Sequence, residues 1–404
     1  MSERTLSRFL LLPELNLTKI ETVGRAGAHY HVDKVSEFEV CPKCACKSTS
    51  VYDRRKIRVK DEPIRGKYLL LIITKRRFWC KCCLKPFTEP VPGISKGGRV
   101  TQRFKRSLCW AAETFSDLTK VQKAYRCSTR IVYKTFYEVL ERKSKARAHS
   151  FPKSIGIDEH SLRKPKFRAT EYTTIIVDHN HKAVFELVDG RSRSDLVAAL
   201  SHIRGAENVK NVTIDMSPTY RSFCRNFFPN AKVIADRFHV QRLFSKLLNK
   251  ERLKIFGDKR RLKVRSILLR KGKSLDSSVR RALHKYLKDY PTLLEIYLLK
   301  ERFIGFYNIK GQFRAQKAFK SIVDDMAKSA NSKILELRRL LINWRKEILA
   351  YFENRLSNGR VEGFNRKAKL VQRKAFGYSS FKNYRLRVLN ECRGKALRGS
   401  PTMK

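Results

Sequence analysis

The chain has 404 residues, enough for two or three domains of typical size, each with a core of its own. It carries 90 Lys and Arg against 37 Asp and Glu, a formal net charge of +53, while 42% of its residues are hydrophobic. This hydrophobic content excludes a disordered polycation, and a charge of this size predicts a polyanionic partner, for which DNA or RNA is the first candidate.

The N-terminal region contains no pattern typical of secretion or of a membrane span. The apolar stretch Phe9 to Leu12 ends at Pro13 and is too short for a signal peptide. The longest apolar run, Tyr68 to Ile73, has the length of a strand rather than of a membrane helix. We therefore expect a cytoplasmic protein with no membrane partner.

Six of the ten cysteines are concentrated in one N-terminal segment. They include two C-x-x-C pairs, Cys41 with Cys44 and Cys80 with Cys83. Each pair can place two thiolates on a tight turn, and two such turns can close a tetrahedral zinc site. Four thiolates leave no open coordination position, so the predicted zinc is structural.

Strand patterns over 53–60 and 67–78 separate the two cysteine pairs, as in a zinc ribbon. Two further cysteines, Cys46 and Cys82, adjoin the pairs and are also candidate sulfur ligands. The alternative interpretation is a group of buried, reduced cysteines without a metal.

A segment rich in Pro and Gly over 90–98 is followed by three helical patterns. They cover 103–114, 117–125 with Asp117 as N-cap, and 129–140 with Ser128 as N-cap. This order is typical of a helix-turn-helix, whose last helix enters the major groove of DNA. The candidate DNA contacts on that helix are Thr129, Arg130, Tyr133 and Lys134. A three-helix spacer with a solvated basic face is the alternative.

The pattern changes at residue 154 to alternating strands and helices. Strands are predicted at 154–157, 172–177, 183–188, 209–214 and 232–235, with helices at 194–203 and 218–228. This order describes a mixed sheet flanked by helices. Beyond His239 the pattern is helical and rich in Lys and Arg, so we predict a basic helical block over 241–351.

Acidic residues are scarce, and several follow predicted strands. Asp158 ends the first strand of the mixed sheet, and Asp215 ends the fourth. Two carboxylates at adjacent strand ends repel each other unless a cation lies between them. Asp236 follows the fifth strand, with His239 shortly after it.

A third candidate ligand lies near the C-terminus. Residues 354–404 contain 14 Lys and Arg but only two acids, Glu362 and Glu391. Glu362 begins a predicted helix, and its role is either metal ligation or a surface ion pair with Arg360 or Arg366. With the two aspartates it favours a two-metal site, whose oxygen ligands suit Mg²⁺ or Mn²⁺ and whose chemistry is phosphodiester cleavage.

The motifs, in their order, resemble bacterial insertion-sequence transposases of the ISL-three type, members of the DDE superfamily with a ribonuclease-H-like core. Besides the zinc ribbon and the helix-turn-helix, they are Gly-Ile-Asp-Glu at 156–159, Ile-Asp-Met-Ser at 214–217, Asp-Arg-Phe-His-Val at 236–240 and Asn-Gly-Arg-Val-Glu-Gly-Phe-Asn at 358–365. The resemblance spans about residues 38 to 395. It implies Asp158, Asp215 and Glu362 as the catalytic, metal-binding triad, and it leaves Asp236 and His239 as neighbours without an assigned role.

We therefore predict a multidomain α/β protein. Its parts are a zinc-ribbon domain over 1–95, a helix-turn-helix domain over 96–150, a ribonuclease-H-like core over 151–240, an all-α insertion over 241–351, and the final catalytic helix with a basic C-terminus over 352–404. Arg366, Lys369, Arg373 and Lys374 are further candidate DNA contacts.

The function implied is that of a DNA transposase with two Mg²⁺ or Mn²⁺ ions and a structural zinc. It would bind terminal inverted repeats, cleave DNA at the element ends and join the 3′-OH ends to target DNA. The resemblance also implies a dimer or larger complex on DNA and association with the bacterial nucleoid. Two other classes fit parts of the pattern: a non-enzymatic DNA-binding regulator, and a metal-dependent nuclease that cuts without joining.

Overall fold

The computed structural model describes residues 14–24, 27–114, 117–146, 150–163, 171–257 and 263–393. The chain forms two compact units. The first contains the chain up to Ala146 and the segment Gln372–Tyr378, and the second contains the remainder. The apolar stretch at 9–12 lies outside the described residues. No helix of the described part is long and apolar enough to span a membrane.

The first unit begins with β-structure. Its strands are β1 (Leu15–Val23), β2 (Gly27–Lys34), β3 (Glu39–Val40), β4 (Lys47–Ser48), β5 (Val51–Ile64), β6 (Lys67–Cys80) and β7 (Lys85–Thr88). One sheet has the order β1-β2-β6-β5 with β7 beside β6, and β3 pairs with β4. The long hairpin β5–β6 confirms the two strands predicted between the cysteine pairs. The hairpin β1–β2 has no counterpart in the sequence predictions.

Three helices follow in the first unit: α1 (Gln102–Thr114), α2 (Leu118–Tyr125) and α3 (Thr129–Lys145). Both predicted N-caps are confirmed, because Asp117 accepts the Thr119 N–H and Ser128 accepts the Ile131 N–H. Arg126 ends α2 in the left-handed region, with φ of 44°, where a glycine is common. Its carbonyl oxygen accepts a hydrogen bond from Lys60 Nζ at 2.6 Å, which helps to hold this turn.

The second unit contains the predicted mixed sheet. Its strands are β8 (Ser154–Arg163), β9 (Glu171–Asp178), β10 (Ala183–Asp189), β11 (Asn211–Ile214) and β12 (Lys232–Ala235). The order is β10-β9-β8-β11-β12, in which β8, β11 and β12 are parallel and the other pairs are antiparallel. The carboxyl ends of the three parallel strands therefore meet at one edge.

One sequence prediction about this sheet is wrong: Asp158 does not end the first strand. The parallel pairing with β11 extends to Gly156, opposite Thr213. The antiparallel partner β9 continues the pairing, with Asp158 opposite Ile175, so β8 runs on to Arg163. Asp158 thus lies within β8, just beyond the end of its shorter neighbour.

The second unit contains helices at both positions predicted between its strands, throughout the predicted helical block and at Glu362. They are α4 (Arg193–Leu200), α5 (Pro218–Phe227), α6 (Arg237–Phe256), α7 (Lys263–Leu269), α8 (Ser277–Lys288), α9 (Pro291–Phe306), α10 (Gln312–Ala327), α11 (Ser332–Asn343), α12 (Arg345–Asn354), α13 (Gly359–Lys374) and α14 (Phe381–Glu391). The helix predicted over 194–203 ends at Leu200, and a short 3₁₀ turn, Ala206–Asn208, precedes β11. The helical block shares one continuous hydrophobic core with the sheet, with Trp344 among its largest fully buried side chains.

Candidate active site and metal centre

Helix α13 packs closely against the sheet because Gly156 has no side chain. A Cβ at this position would lie 2.6 Å from Val361 Cγ2 and 2.9 Å from Thr213 Oγ1. Contacts this short are not tolerated, so only glycine allows α13 to approach β8 and β11 this closely. The first turn of α13, which carries Glu362, therefore lies at the sheet.

Asn358, which is buried just before α13, connects the start of the helix to the sheet. Its backbone N–H donates to Asp236 Oδ1 at 2.9 Å, and its side-chain Nδ2 donates to the Ile157 carbonyl at 3.1 Å. The Thr213 hydroxyl donates to Asn358 Oδ1. The Glu362 N–H in turn donates to the Asn358 carbonyl at 3.0 Å, so Glu362 is placed from the same anchor.

Asp158 is 9% exposed and lines a cavity of about 560 Å³ at this edge of the sheet. Burial raises the pKa of its carboxyl group from the usual 3.8 to about 6, and the negative charges of Asp215 and Asp236 add to the effect. The neighbouring His239 opposes them. Several acids thus lie close to Asp158, and the charge of His239 offsets only part of their effect on its pKa.

Asp215 follows β11 directly, as predicted, and burial likewise raises its pKa. The charges of Glu159 and Asp236 also raise it, while His239 lowers it. Asp215 and Asp158 are thus close enough for their charges to interact.

Asp236 is buried at the N-cap of α6, where it accepts the His239 N–H. Its Oδ2 also lies 3.0 Å from His239 Nδ1, and this hydrogen bond is the main reason why the pKa of His239 is raised. The pair holds a positively polarised imidazole beside Asp158 and Asp215. The structure therefore gives these two neighbours a definite place in the site.

Glu362 lines the same cavity, but its side chain is 58% exposed and pairs with Arg366 at 2.6 Å. Of the two surface partners considered from the sequence, Arg366 is the one in contact, while Arg360 donates to the His179 carbonyl instead. Among the described residues, the clusters with three or more metal-ligand atoms within 4.8 Å of one another consist of cysteines. Asp158 and Glu362 therefore line one cavity without closing on a single point, while Asp215 acts on Asp158 through its charge.

Asn365 is a site residue that the sequence analysis did not single out. Its Nδ2 donates to Asp158 Oδ2 at 2.9 Å, and its side chain is buried in the cavity wall. The signal was present, because Asn358 and Asn365 are seven residues apart and such spacing places residues on one helical face. It was missed because asparagine carries no charge to stand out from a basic background.

The predicted DNA contacts are all on the surface. Thr129, Arg130, Tyr133 and Lys134 are exposed on α3 in the first unit. Arg366 and Lys369 are exposed on α13 and line the carboxylate cavity, with Arg242 of α6. Arg373 and Lys374 are exposed at the end of α13.

The four predicted zinc ligands come together in the first unit. The Sγ atoms of Cys41, Cys44, Cys80 and Cys83 all lie within 4.8 Å of one another, with 3.5 Å between those of Cys44 and Cys80. Zinc–sulfur bonds of about 2.3 Å in a tetrahedron place sulfurs about 3.8 Å apart, so the cluster fits this metal. The backbone N–H groups of residues 43 and 44 lower the pKa of Cys41 to about 7, which favours the thiolate form.

The two remaining sulfurs of this segment form a pair of their own. Cys46 and Cys82 are joined in a disulfide, with 6.7 Å between their Cα atoms. This arrangement separates them from the four-sulfur cluster, although Cys44 Sγ lies within 4.8 Å of both. A disulfide was not expected from the sequence, in which Cys46 and Cys82 were candidate metal ligands or reduced thiols.

Comparison with known proteins identifies the class of protein. A family model of a transposase matches residues 155–388, which include both sheet aspartates and Glu362. A second model, the zinc finger of the transposases of IS204, IS1001, IS1096 and IS1165, matches residues 37–83. The protein is therefore a transposase, a DNA-processing enzyme, and both models are those of the ISL3 (ISL-three) type. The chain belongs to the ISL3 transposase family.

Curated relatives agree with this assignment. The chain is 24% identical over 381 residues to the transposase for insertion sequence element IS1001 of Bordetella parapertussis, covering 91% of this chain and 92% of that protein. It is 26% identical over 329 residues to the transposase for insertion sequence element IS1557 of Mycobacterium tuberculosis, covering 73% and 72% respectively. The resemblance found in the sequence motifs is confirmed.

Proposed function

We propose that this chain cleaves DNA at the ends of an insertion sequence and joins the freed 3′-OH ends to target DNA, with Asp158, Asp215 and Glu362 as its metal-binding triad. One observation carries the proposal. In a chain with a net charge of +53, acids collect at one edge of the sheet, where burial raises the pKa of Asp158 and Asp215 and the charge of Asp236 adds to both shifts. Such repulsion is relieved when cations bind.

The donor set fits two Mg²⁺ or Mn²⁺ ions, which prefer oxygen ligands. Bound there, such ions lower the pKa of an attacking water or 3′-OH and stabilise the leaving oxygen of a phosphodiester. Asp158 would contribute to both ions, Asp215 to one and Glu362 to the other. Glu362 has to leave Arg366 for this purpose, and an exposed ion pair of this kind costs only about 0.3–0.5 kcal/mol to break.

The protein's other groups position the DNA. Arg242, Arg366 and Lys369 line the carboxylate cavity and would bind the phosphates that flank the reacting bond. His239, held by Asp236, would offset part of the negative charge when the carboxylates approach the DNA backbone. Affinity for DNA should fall steeply with salt, because each phosphate contact releases counterions.

The first unit would recognise the terminal inverted repeats. Its exposed face on α3 would enter the major groove, and a structural zinc held by the four-sulfur cluster would fix the ribbon. Arg130→Ala should weaken binding to element ends. Lys145→Ala removes the same charge at the other end of α3, about 22 Å away along the helix, and should weaken end binding less.

The test is incubation of purified protein with DNA that carries candidate element ends, with Mg²⁺ or with a chelator, followed by sequencing of the products. We expect end cleavage and strand transfer that require the divalent ion. Asp158→Ala, Asp215→Ala and Glu362→Ala should keep end binding and lose both products. Asp276→Asn, an exposed aspartate at the start of α8, is the matched control and should remain active.

Two outcomes would replace this proposal. The chain would be a DNA-binding regulator if the wild type binds the ends without cleaving them and the triad variants bind them equally well. Nicked products without strand transfer from pre-cleaved ends would make it a nuclease. Joining of two ends also implies two or more protomers, which light scattering on the chain with end DNA would reveal.

A further inference from the structure

A row of buried polar side chains extends from Asp158 within the second unit, beginning with Asn365 in the cavity wall. Asn365, His160 and Tyr384 are each buried, at 7%, 3% and 0% exposure. They come from three different elements, α13, β8 and α14. Buried polar groups are costly unless each finds a partner, so their alignment requires an explanation.

Two contacts of this row are direct. Asn365 Nδ2 donates to Asp158 Oδ2 at 2.9 Å, and His160 Nε2 lies 2.7 Å from the Tyr384 hydroxyl. Between them, His160 Nδ1 and Asn365 Oδ1 are buried and have no hydrogen-bond partner among the described residues. Asp158 and His160 lie two residues apart on the same face of β8, so Asn365, which contacts Asp158, also lies beside His160. A hydrogen bond between these two atoms would satisfy both at once.

The direction of each hydrogen bond follows from the carboxylate. Ionised Asp158 can only accept, so Asn365 must turn its amide nitrogen towards it and its oxygen towards His160. That oxygen can only accept, so His160 must carry hydrogen on Nδ1. In a buried neutral ring Nε2 is then the acceptor, and the Tyr384 hydroxyl must donate to it.

We propose that Tyr384, His160 and Asn365 form a chain of hydrogen-bond donors that ends on Asp158 and fixes the orientation of its carboxylate for metal binding. The inference rests on the proposed function, because it takes Asp158 as a metal ligand. All three are positioning residues, which act through Asp158 and do not touch DNA. Since Asn365 lies one turn after Glu362, the same contact also holds the helix that carries the third ligand.

The row of hydrogen-bond donors also connects α14 to the proposed metal site. Tyr384 lies on this helix, which is further anchored to β10 by the pair of Arg385 and the buried Glu186, with Nε to Oε1 at 2.6 Å. The tyrosine is thereby held in place more than two hundred residues along the chain from His160. The first catalytic aspartate is thus oriented by the C-terminal helix of the described structure.

The test uses Mn²⁺ binding to the full-length protein, followed by electron paramagnetic resonance, beside the Mg²⁺ dependence of end cleavage. Asn365→Leu keeps the side-chain size and removes both polar atoms. We expect it to weaken the Mn²⁺ affinity of the carboxylate site, and to raise the Mg²⁺ needed for half-maximal cleavage, by roughly 10- to 100-fold. End binding without metal should stay within about twofold of wild type.

Two substitutions at one position separate positioning from packing. His160→Asn can still donate from its amide to Asn365, whereas His160→Gln places its amide where Nε2 lies and loses that donor. We expect His160→Asn to retain most of the Mn²⁺ affinity and His160→Gln to resemble Asn365→Leu. A purely structural role would affect both similarly, and this pair decides the question even if Asn365→Leu does not fold.

The failures can be told apart through Asp158→Asn. If this variant weakens Mn²⁺ binding while Asn365→Leu and His160→Gln bind Mn²⁺ as the wild type does, the donor chain is refuted and the metal site stands. If Asp158→Asn leaves Mn²⁺ binding unchanged, Asp158 is not a ligand, and both the proposed function and this inference fall.

Discussion

Removing the charge of Asp158 should stabilise the fold, although it removes a residue proposed to be essential. The pKa of this buried carboxyl group is raised from 3.8 to about 6. A shift of about two units corresponds to about 3 kcal/mol at a pH well above 6, because one unit is worth 1.36 kcal/mol. Asp158→Asn avoids this cost but loses one of the two hydrogen bonds that the carboxylate accepts, about 1 kcal/mol. The net expectation is a gain of about 2 kcal/mol at pH 8.

The sign of the effect depends on pH. Below 3.8, Asp158 is protonated in both the folded and the unfolded chain, and it contributes nothing. As the pH rises towards 6, the unfolded chain releases its proton first, so the wild type loses stability relative to the variant. The advantage of Asp158→Asn should therefore vanish or reverse near pH 3.5.

Scanning calorimetry at pH 8 and pH 3.5 measures this difference. A gain of about 2 kcal/mol in a unit of this size raises the unfolding temperature by roughly 4–8 °C. Adding Mg²⁺ at pH 8 should raise the unfolding temperature of the wild type towards that of the variant, because the cation reduces the repulsion between the carboxylates. Asp276→Asn is the control, with a change within about 0.5 kcal/mol at either pH. A variant that is less stable than the wild type at pH 8, or a gain that does not depend on pH, would refute the reasoning.

Two further predictions concern the packing of α13 and the metal-binding ribbon. Gly156→Ala should destabilise the fold by about 1–3 kcal/mol, because its Cβ would lie 2.6 Å from Val361 Cγ2. Gly363→Ala should be neutral or slightly stabilising, because a Cβ at that position would have no heavy atom within 4 Å. Thermal unfolding of both variants measures the difference. Cys41→Ser should lose the bound zinc, whereas Cys46→Ser, which removes a sulfur outside the four-sulfur cluster, should keep it. Metal analysis of the purified proteins measures the zinc content. Equal zinc contents in the two variants would contradict this choice of ligands.

Much of the fold could be predicted from local patterns. The caps at Asp117 and Ser128, the long strands between the cysteine pairs and the alternation of strands and helices after residue 154 are all signals of neighbouring residues. The continuation of β8 through Asp158 could not be predicted, because it depends on β9 being longer than β11. The length of β8 is thus set by its pairing with β9, and the sequence of β8 alone carries no information about that pairing.

The candidate site was visible where charge made it stand out. Asp158, Asp215 and Glu362 were notable because acids are rare in this chain, and two of them line one cavity. The ion pair of Glu362 with Arg366 followed from i,i+4 spacing. Asn365 and His160 were not found, because their importance lies in contacts between α13, β8 and α14. Such contacts need tertiary structure, and an uncharged buried residue leaves little trace in composition.

Iron-directed cleavage of the protein most directly tests whether the three carboxylates share divalent ions. Fe²⁺ takes oxygen ligands as Mg²⁺ does, and with ascorbate and peroxide it generates radicals that cut the nearest backbone. Mass spectrometry of the full-length chain should find cuts close to residues 158, 215 and 362, which excess Mg²⁺ suppresses together and which Asp158→Asn abolishes. Cuts near 158 and 215 without any at 362, or cuts that Mg²⁺ does not suppress, would contradict a common metal site.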